Sequence, residues 1–184
     1  MNKFDVIVIG GGHAGVEAAD VASRFGVDTL LITHDKNKIG EMSCNPAIGG
    51  IGKSHLAKEV DALGGLMARA ADSAGIHYRV LNSTKGQAVR ATRVQTDREL
   101  YRAFIQHALS KSKNLTIKEG SVVDVTIKNS TIKSIHTEDG AEIFGKTFIL
   151  TTGTFLGGVM HTPPRNVPVV KMNVFPNISA PSSV

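Results

Sequence analysis

The chain has 184 residues, 41% hydrophobic and 20% charged, with 21 Lys+Arg against 16 Asp+Glu and a formal net charge of +5. That composition belongs to a globular protein, and one cysteine excludes both a disulfide framework and a multi-cysteine zinc site. No apolar run approaches the roughly 18 residues of a membrane span, and the mildly basic balance favours an anionic partner without specifying it.

Phe4 to Ile9 is an almost continuous apolar run, interrupted by Asp5 and stopped at Gly10-Gly11-Gly12. It predicts a strand, not a signal peptide. Ala14, Ala18, Ala19, Ala22 and Phe25 then recur at helical spacing until Gly26, and Asp28 to Thr33 reads as a second strand. Strand, helix and strand make a β-α-β unit with parallel strands, a right-handed crossover and a sheet buried on both faces. A glycine-rich segment from Gly40 to Gly52 precedes a helix with Leu56, Val60 and Leu63 on one side and Ser54 as its candidate cap. Ile76 to Leu81 is expected to be extended. Thr96-Asp97-Arg98-Glu99 has the form of a capping box before a helix with Leu100, Phe104, Ile105, Ala108 and Leu109 as its apolar stripe.

From Leu115 to Ile149 short β-rich runs are punctuated by Asn129-Ser130 and Asp139-Gly140, which predicts a small antiparallel meander. Phe148 to Gly153 looks like a strand returning to the parallel sheet. The fold class is therefore α/β, Rossmann-like, with a parallel sheet and a small β-meander. All 19 glycines lie at or before Gly158, whereas Pro163, Pro164, Pro168, Pro176 and Pro181 lie after it. Residues 162–184 are expected to be an irregular tail following a partial dinucleotide-binding domain over residues 1–161.

Gly10-x-Gly12-x-x-Gly15, between a strand and an alanine-rich helix, is the dinucleotide fingerprint in its required setting. The first glycine permits a tight turn, the second lets a pyrophosphate reach the backbone, and the third lets helix and strand pack closely. The free N–H groups and positive end of the helix dipole meet the phosphate charge. The carboxylate that usually holds the ribose about 20 residues on is replaced by Thr33-His34, with Asp35 just beyond. A hydroxyl or imidazole can contact a ribose, although a polar strand end is the plainer reading of His34.

Ala47-Ile48-Gly49-Gly50-Ile51-Gly52-Lys53-Ser54 imitates a phosphate-binding loop, but such a loop follows a buried strand, and Met42 to Pro46 is polar and proline-broken. Triphosphate hydrolysis is excluded on that ground. On spacing alone Cys44 reads first as a small buried thiol and only second as a thiolate favoured by a nearby helix N-terminus. The seven histidines show no metal-ligand spacing, so no metal is assigned. From Arg79 to Arg102, Arg79, Lys85, Arg90, Arg93, Arg98 and Arg102 stand against Asp97 and Glu99, a local cationic stretch that is either a solvated face or an anion site.

Four blocks together resemble the MnmG (GidA) family, the FAD-binding subunit of the enzyme that installs the 5-carboxymethylaminomethyl group on tRNA uridine. They are Val8 to Gly15, Glu41 to Lys53, Arg90-Ala91-Thr92-Arg93 with Gln95 and Asp97-Arg98, and Thr152 to Leu156. The cysteine-containing block is the most distinctive; Gln87 departs from the proline usual in the family. The resemblance implies an FAD-dependent modification of the wobble uridine with a partner GTPase of the MnmE type. Methylenetetrahydrofolate, glycine or ammonium, and NADH would serve as co-substrates.

It implies that Gly10, Gly11, Gly12, His13, Ala14 and Gly15 hold the FAD pyrophosphate, that the Val122 backbone meets the adenine, and that Thr152 and Gly153 pass beside the cofactor. Thr33 and His34 would stand at the ribose, and Cys44 would help activate the uracil ring. A homodimer and a cytoplasmic location without membrane association complete that implication. Family members are several times longer, and Thr162 to Arg165 resembles a segment that normally occurs further on, so the domain is expected to be incomplete and the chain alone inactive. A noncatalytic nucleotide- or RNA-binding fragment is the alternative from another class, and a folate- and FAD-dependent tRNA uridine methyltransferase the alternative from a related one.

Overall fold

The structure, a computed structural model, describes residues 3–153, so the expected tail and its boundary at residue 161 lie outside the described residues. β1 (Lys3–Ile9) leads through the glycine turn into α1 (His13–Arg24), and β2 (Thr29–Thr33) returns parallel to β1, with Val8 beside Leu31. Gly26, at φ +80°, ends the helix in the left-handed conformation that glycine adopts without strain. The predicted β-α-β unit is thus present.

Between β2 and the next parallel strand the chain builds a layer that the sequence pattern announces only in part. It contains β3 (Ala47–Gly49), α2 (Ser54–Ala62), α3 (Leu66–Ala74), β4 (Gly75–Leu81), β5 (Ala91–Thr96) and α4 (Arg98–Ser110). The three strands form an antiparallel sheet in the order β3-β5-β4. β3, α3 and β5 are additions to the expected elements. Glu17 of α1 supplies the cap of α3: its carboxylate accepts the Leu66 and Met67 N–H groups at 3.0 and 2.7 Å, where the capping position, Gly65, has no side chain.

Two expected caps are corrected. Ser54 is the first helical residue of α2, and its hydroxyl accepts the Gly50 N–H and donates to carbonyls of the preceding loop and β5. Asp97, not Thr96, caps α4, its carboxylate accepting the Glu99 and Leu100 N–H groups at 2.9 Å each. The inward face of α4 is Tyr101, Ile105 and Leu109, while Leu100 is exposed. Leu56 of α2 and Leu63, the residue just past its end, are likewise exposed instead of packed.

β6 (Leu115–Glu119) pairs parallel with β2 and so belongs to the main sheet, not to the meander. β7 (Val122–Lys128) and β8 (Thr131–Thr137) form a hairpin closed by Asn129 and Ser130, both at positive φ. β9 (Glu142–Leu150) joins the two parts, antiparallel to β8 through its first residues and parallel to β1 along its length. The six-stranded order is β6-β2-β1-β9-β8-β7. Val8 and Leu31 face α1, α3 and α4, whereas Ile7, Ile9, Leu30 and Ile32 face Val122, Ile135 and Ile143 of the meander. Both faces of the central strands are buried, as their apolar runs require.

Candidate functional site

The carboxyl ends of β1, β2 and β9 converge on the glycine turn and are tied there by main-chain bonds. Gly10 N–H donates to the Ile32 carbonyl at 2.9 Å, Gly120 N–H to Thr33 at 2.8 Å, and Thr151 N–H to Ile9 at 2.9 Å. The Thr151 hydroxyl donates to the Ile9 carbonyl as well. Above these ends lies a groove of about 250 Å³ lined by Gly10, Gly11, Gly12, Thr33, His34, Val122, Thr152 and Gly153, together with Lys38 and Gly120. Residues far apart in the chain are thereby brought together around one groove. His13, Ala14 and Gly15 do not line it. Thr151 and Lys38 join the site without a signal that singles them out: Thr151 merely adjoins the Thr152 block, and Lys38 carries no pattern.

The three fingerprint glycines have different reasons. Gly10, at φ +112°, adopts a backbone closed to other residues, and a Cβ on Gly15 would collide with the Gly10 carbonyl oxygen. These two are demanded by the protein itself. Gly12 has φ −73° and no atom within 4 Å of a Cβ built on it, so nothing in the described fold requires a glycine there. The missing side chain leaves space over the first turn of α1, which has neither a side-chain cap nor an acidic residue. Unsatisfied N–H groups and the positive helix end open directly toward that space.

On the other side of the turn is a second cavity of about 370 Å³, lined by His13, Met42, Cys44, Asn45, Lys53 and Leu56 among others. Cys44 is exposed, which removes the buried-thiol reading. Arg98, the first residue of α4, donates to the Cys44 carbonyl at 2.6 Å, so the helix start beside Cys44 is that of α4. The apolar stripe expected on α2 contributes Leu56 and Val60 to this cavity. The His13 ring lies 5.6 Å from the Tyr101 ring. His13 Nε2 and the Tyr101 hydroxyl are both buried without a hydrogen-bond partner among the described residues. Burial holds the imidazole below its ordinary value of 6.5, against the opposing pull of Glu17, and drives the phenol well above its usual range.

The cationic stretch divides among several structures. Arg79 and Arg93 stand directly opposite each other on β4 and β5. Arg102 pairs with Glu99, and Arg98 holds the Cys44 loop, whereas Arg79, Lys85, Arg90 and Arg93 have no salt-bridge partner among the described residues. The first three residues of the pseudo-phosphate loop are themselves β3, a short edge strand of the small antiparallel sheet, and no buried parallel strand leads into it, which is the wrong setting for a triphosphate site. Among the described residues no His, Cys, Asp or Glu group is arranged to hold a metal ion, and no helix is long and apolar enough to cross a membrane.

The family model described as glucose inhibited division protein A matches residues 5–182. GidA from Aquifex aeolicus is 46% identical, with a TM-score of 0.81 over 85% of this chain and 26% of that one. The GidA-related protein from Thermus thermophilus is 17% identical, with a TM-score of 0.58 over 84% of this chain and 55% of that one, a likeness of fold. PqsL from P. aeruginosa, in complex with 2-aminobenzoylacetate, shares the fold at 16% identity and a TM-score of 0.58, over 80% of this chain and 42% of that one. The chain spans about a quarter of the length of the Aquifex protein. It belongs to the GidA family.

Proposed function

We propose that this member of the GidA family is the cofactor-holding part of an FAD-dependent tRNA modification protein. The observation that carries the reading is Gly12, a glycine that no neighbour among the described residues explains, at the open N-terminus of a helix. A pyrophosphate is the ligand whose close approach and charge such a site suits. The rest of the groove's lining supports the same reading: Val122 would meet the adenine, Thr33 and His34 would stand at the ribose, and Thr152-Gly153 would pass beside the cofactor. His13 belongs with the neighbouring cavity and Gly15 serves helix packing, so only the N–H groups of that turn would meet the phosphates.

FAD, once bound, would supply the redox chemistry that converts the transferred one-carbon unit into the base substituent. The chain's own residues do the rest. Gly10 to Gly12 and the dipole of α1 would hold the pyrophosphate, and Ile32 and Val122 would give the adenine an apolar wall. Cys44, exposed beside the second cavity, would add as a thiolate to one carbon of the uracil ring double bond, leaving the adjacent carbon nucleophilic toward the one-carbon unit; loss of that carbon's proton would then expel the thiolate and restore the double bond. The facing Arg79 and Arg93 repel each other in the free protein, and a phosphodiester backbone lying over them would relieve that repulsion.

The finer reading assigns the carboxymethylaminomethyl or aminomethyl modification of the wobble uridine. Methylenetetrahydrofolate, glycine or ammonium, and NADH would be co-substrates, with an MnmE-type GTPase, a homodimer and a cytoplasmic setting. These belong to a longer protein of this family. The test is to purify the chain, add FAD, remove free cofactor and record the visible spectrum, then titrate tRNA at two salt concentrations. A retained flavin band with salt-sensitive tRNA binding supports the proposal. tRNA binding by a folded chain without retained flavin would favour the noncatalytic RNA-binding alternative.

A further inference from the structure

A third concavity, of about 570 Å³, lies where α1, α3 and α4 meet, and it shares no lining residue with the two already described. Arg24, Arg69, Lys111 and Lys113 line it. The one acid among its lining residues, Asp20, is buried and taken up by Arg24, whose Nε donates to its carboxylate at 2.8 Å. Arg69, Lys111 and Lys113 have no salt-bridge partner among the described residues. The two lysines follow the last residue of α4, where the helix dipole favours positive charge. Arg69 has no such reason: it stands in the first turn of α3, the positive end, with its guanidinium 6.0 Å over the Phe104 ring. A cation set against a dipole, with two more along the same groove and no free acid, is an excess of charge that the fold does not compensate.

The same helices join this groove to the Cys44 cavity. α1 begins at His13, which lines that cavity, and ends at Arg24, which lines the groove. α4 begins at Arg98, bonded to the Cys44 carbonyl, and ends at Ser110, just before Lys111. Cavity and groove are therefore separated by one helix length, roughly 16 to 20 Å at a rise of about 1.5 Å per residue. A stacked nucleic-acid strand advances about 3.4 Å per nucleotide, so that distance is about five nucleotides.

We infer that the groove between α1, α3 and α4 is a second contact for the RNA substrate, holding its phosphodiester backbone about five nucleotides from the base presented to Cys44. The inference rests on the tRNA reading above and adds to it a place and a register. Arg69, Lys111 and Lys113 act there as positioning residues: they touch backbone and set where the base falls, and they take no part in the chemistry.

The test is the salt dependence of binding of an unmodified tRNA transcript to the whole chain, compared for the wild type, Lys111→Gln with Lys113→Gln, and Arg69→Gln. Lys128→Gln with Lys133→Gln, which removes the same charge from the β7–β8 hairpin, is the control. Circular dichroism and the retained flavin band report that each protein is folded. The double variant in the groove should lower the slope of log affinity against log salt by about 1.4 to 1.8 and Arg69→Gln by about half that, with the control unchanged. A slope that both groove variants leave unaltered overturns the inference, as does an equal fall in the control, which would make the effect one of net charge alone; both results leave tRNA binding itself standing. Failure of a folded wild type to bind the transcript overturns the tRNA reading and this inference with it.

Discussion

The two cavities beside the N-terminus of α1 are made in different ways. The groove over the strand ends is a main-chain site: its shape comes from Gly10, Gly12 and the carbonyl and N–H groups that tie β1, β2 and β9 together. The Cys44 cavity is a side-chain site, assembled by a loop, a three-residue strand and the partly exposed face of α2. Its cysteine is secured through a single carbonyl by Arg98. A ligand held by backbone can tolerate changes in most side chains around it, whereas chemistry at Cys44 depends on particular residues arriving together.

The contrast is broken most severely at Gly15. Gly15→Val puts side-chain atoms into the Gly10 carbonyl and should destabilise the fold by about 3 kcal/mol or more, read as the loss of the denaturant midpoint. An unchanged midpoint would mean that helix and strand are not packed as described. Tyr101→Phe removes a buried hydroxyl without a partner and should raise stability by about 1 kcal/mol. A loss of similar size would reveal a partner for that hydroxyl, and with it a more polar Cys44 side of the molecule.

pH sharpens the same comparison. Burial lowers the His13 pKa, so below 6.5 the unfolded chain binds the proton more readily than the folded one. This residue's contribution is therefore complete above 6.5 and is lost as pH falls through the lower folded value. His13→Asn should flatten that part of the stability profile, measured by urea unfolding at a series of pH values. Smaller still, Arg79→Thr should stabilise the free protein by up to about 0.5 kcal/mol by removing a facing like charge. It should also reduce the salt dependence of tRNA binding; an unaltered slope would place the nucleic acid elsewhere. Arg98→Met should leave stability within about 0.5 kcal/mol and quicken alkylation of Cys44 by loosening its loop.

The backbone-built region is far more legible in the sequence than the side-chain-built one. Gly10, Gly12 and Gly15 carry geometry in their spacing, and the apolar run of β1 announces a buried strand. α3 is hard to see because its inward face is Leu66, Ala70, Ala71 and Ala74, mostly alanines, although their helical spacing is there to read. β5 is hidden by its polar side chains: only Ala91, Val94 and Thr96 are buried, and Arg93 makes the segment look like a solvated charge run. β6 has the composition of its meander neighbours, and only its pairing with β2 assigns it to the parallel sheet. The partnerless hydroxyl of Tyr101 and the position of Lys38 depend on tertiary geometry that no local pattern encodes.

The account turns on Gly12 being bare for the sake of a ligand and not of the fold. The direct measurement compares FAD retention and unfolding midpoint for the wild type and Gly12→Val. The wild type should keep a flavin band, and the variant should lose the band while giving up no more than about 1 kcal/mol, the cost of a poor N-cap residue. A variant that holds FAD as tightly as the wild type would contradict the central claim, as would a folded wild type that retains none.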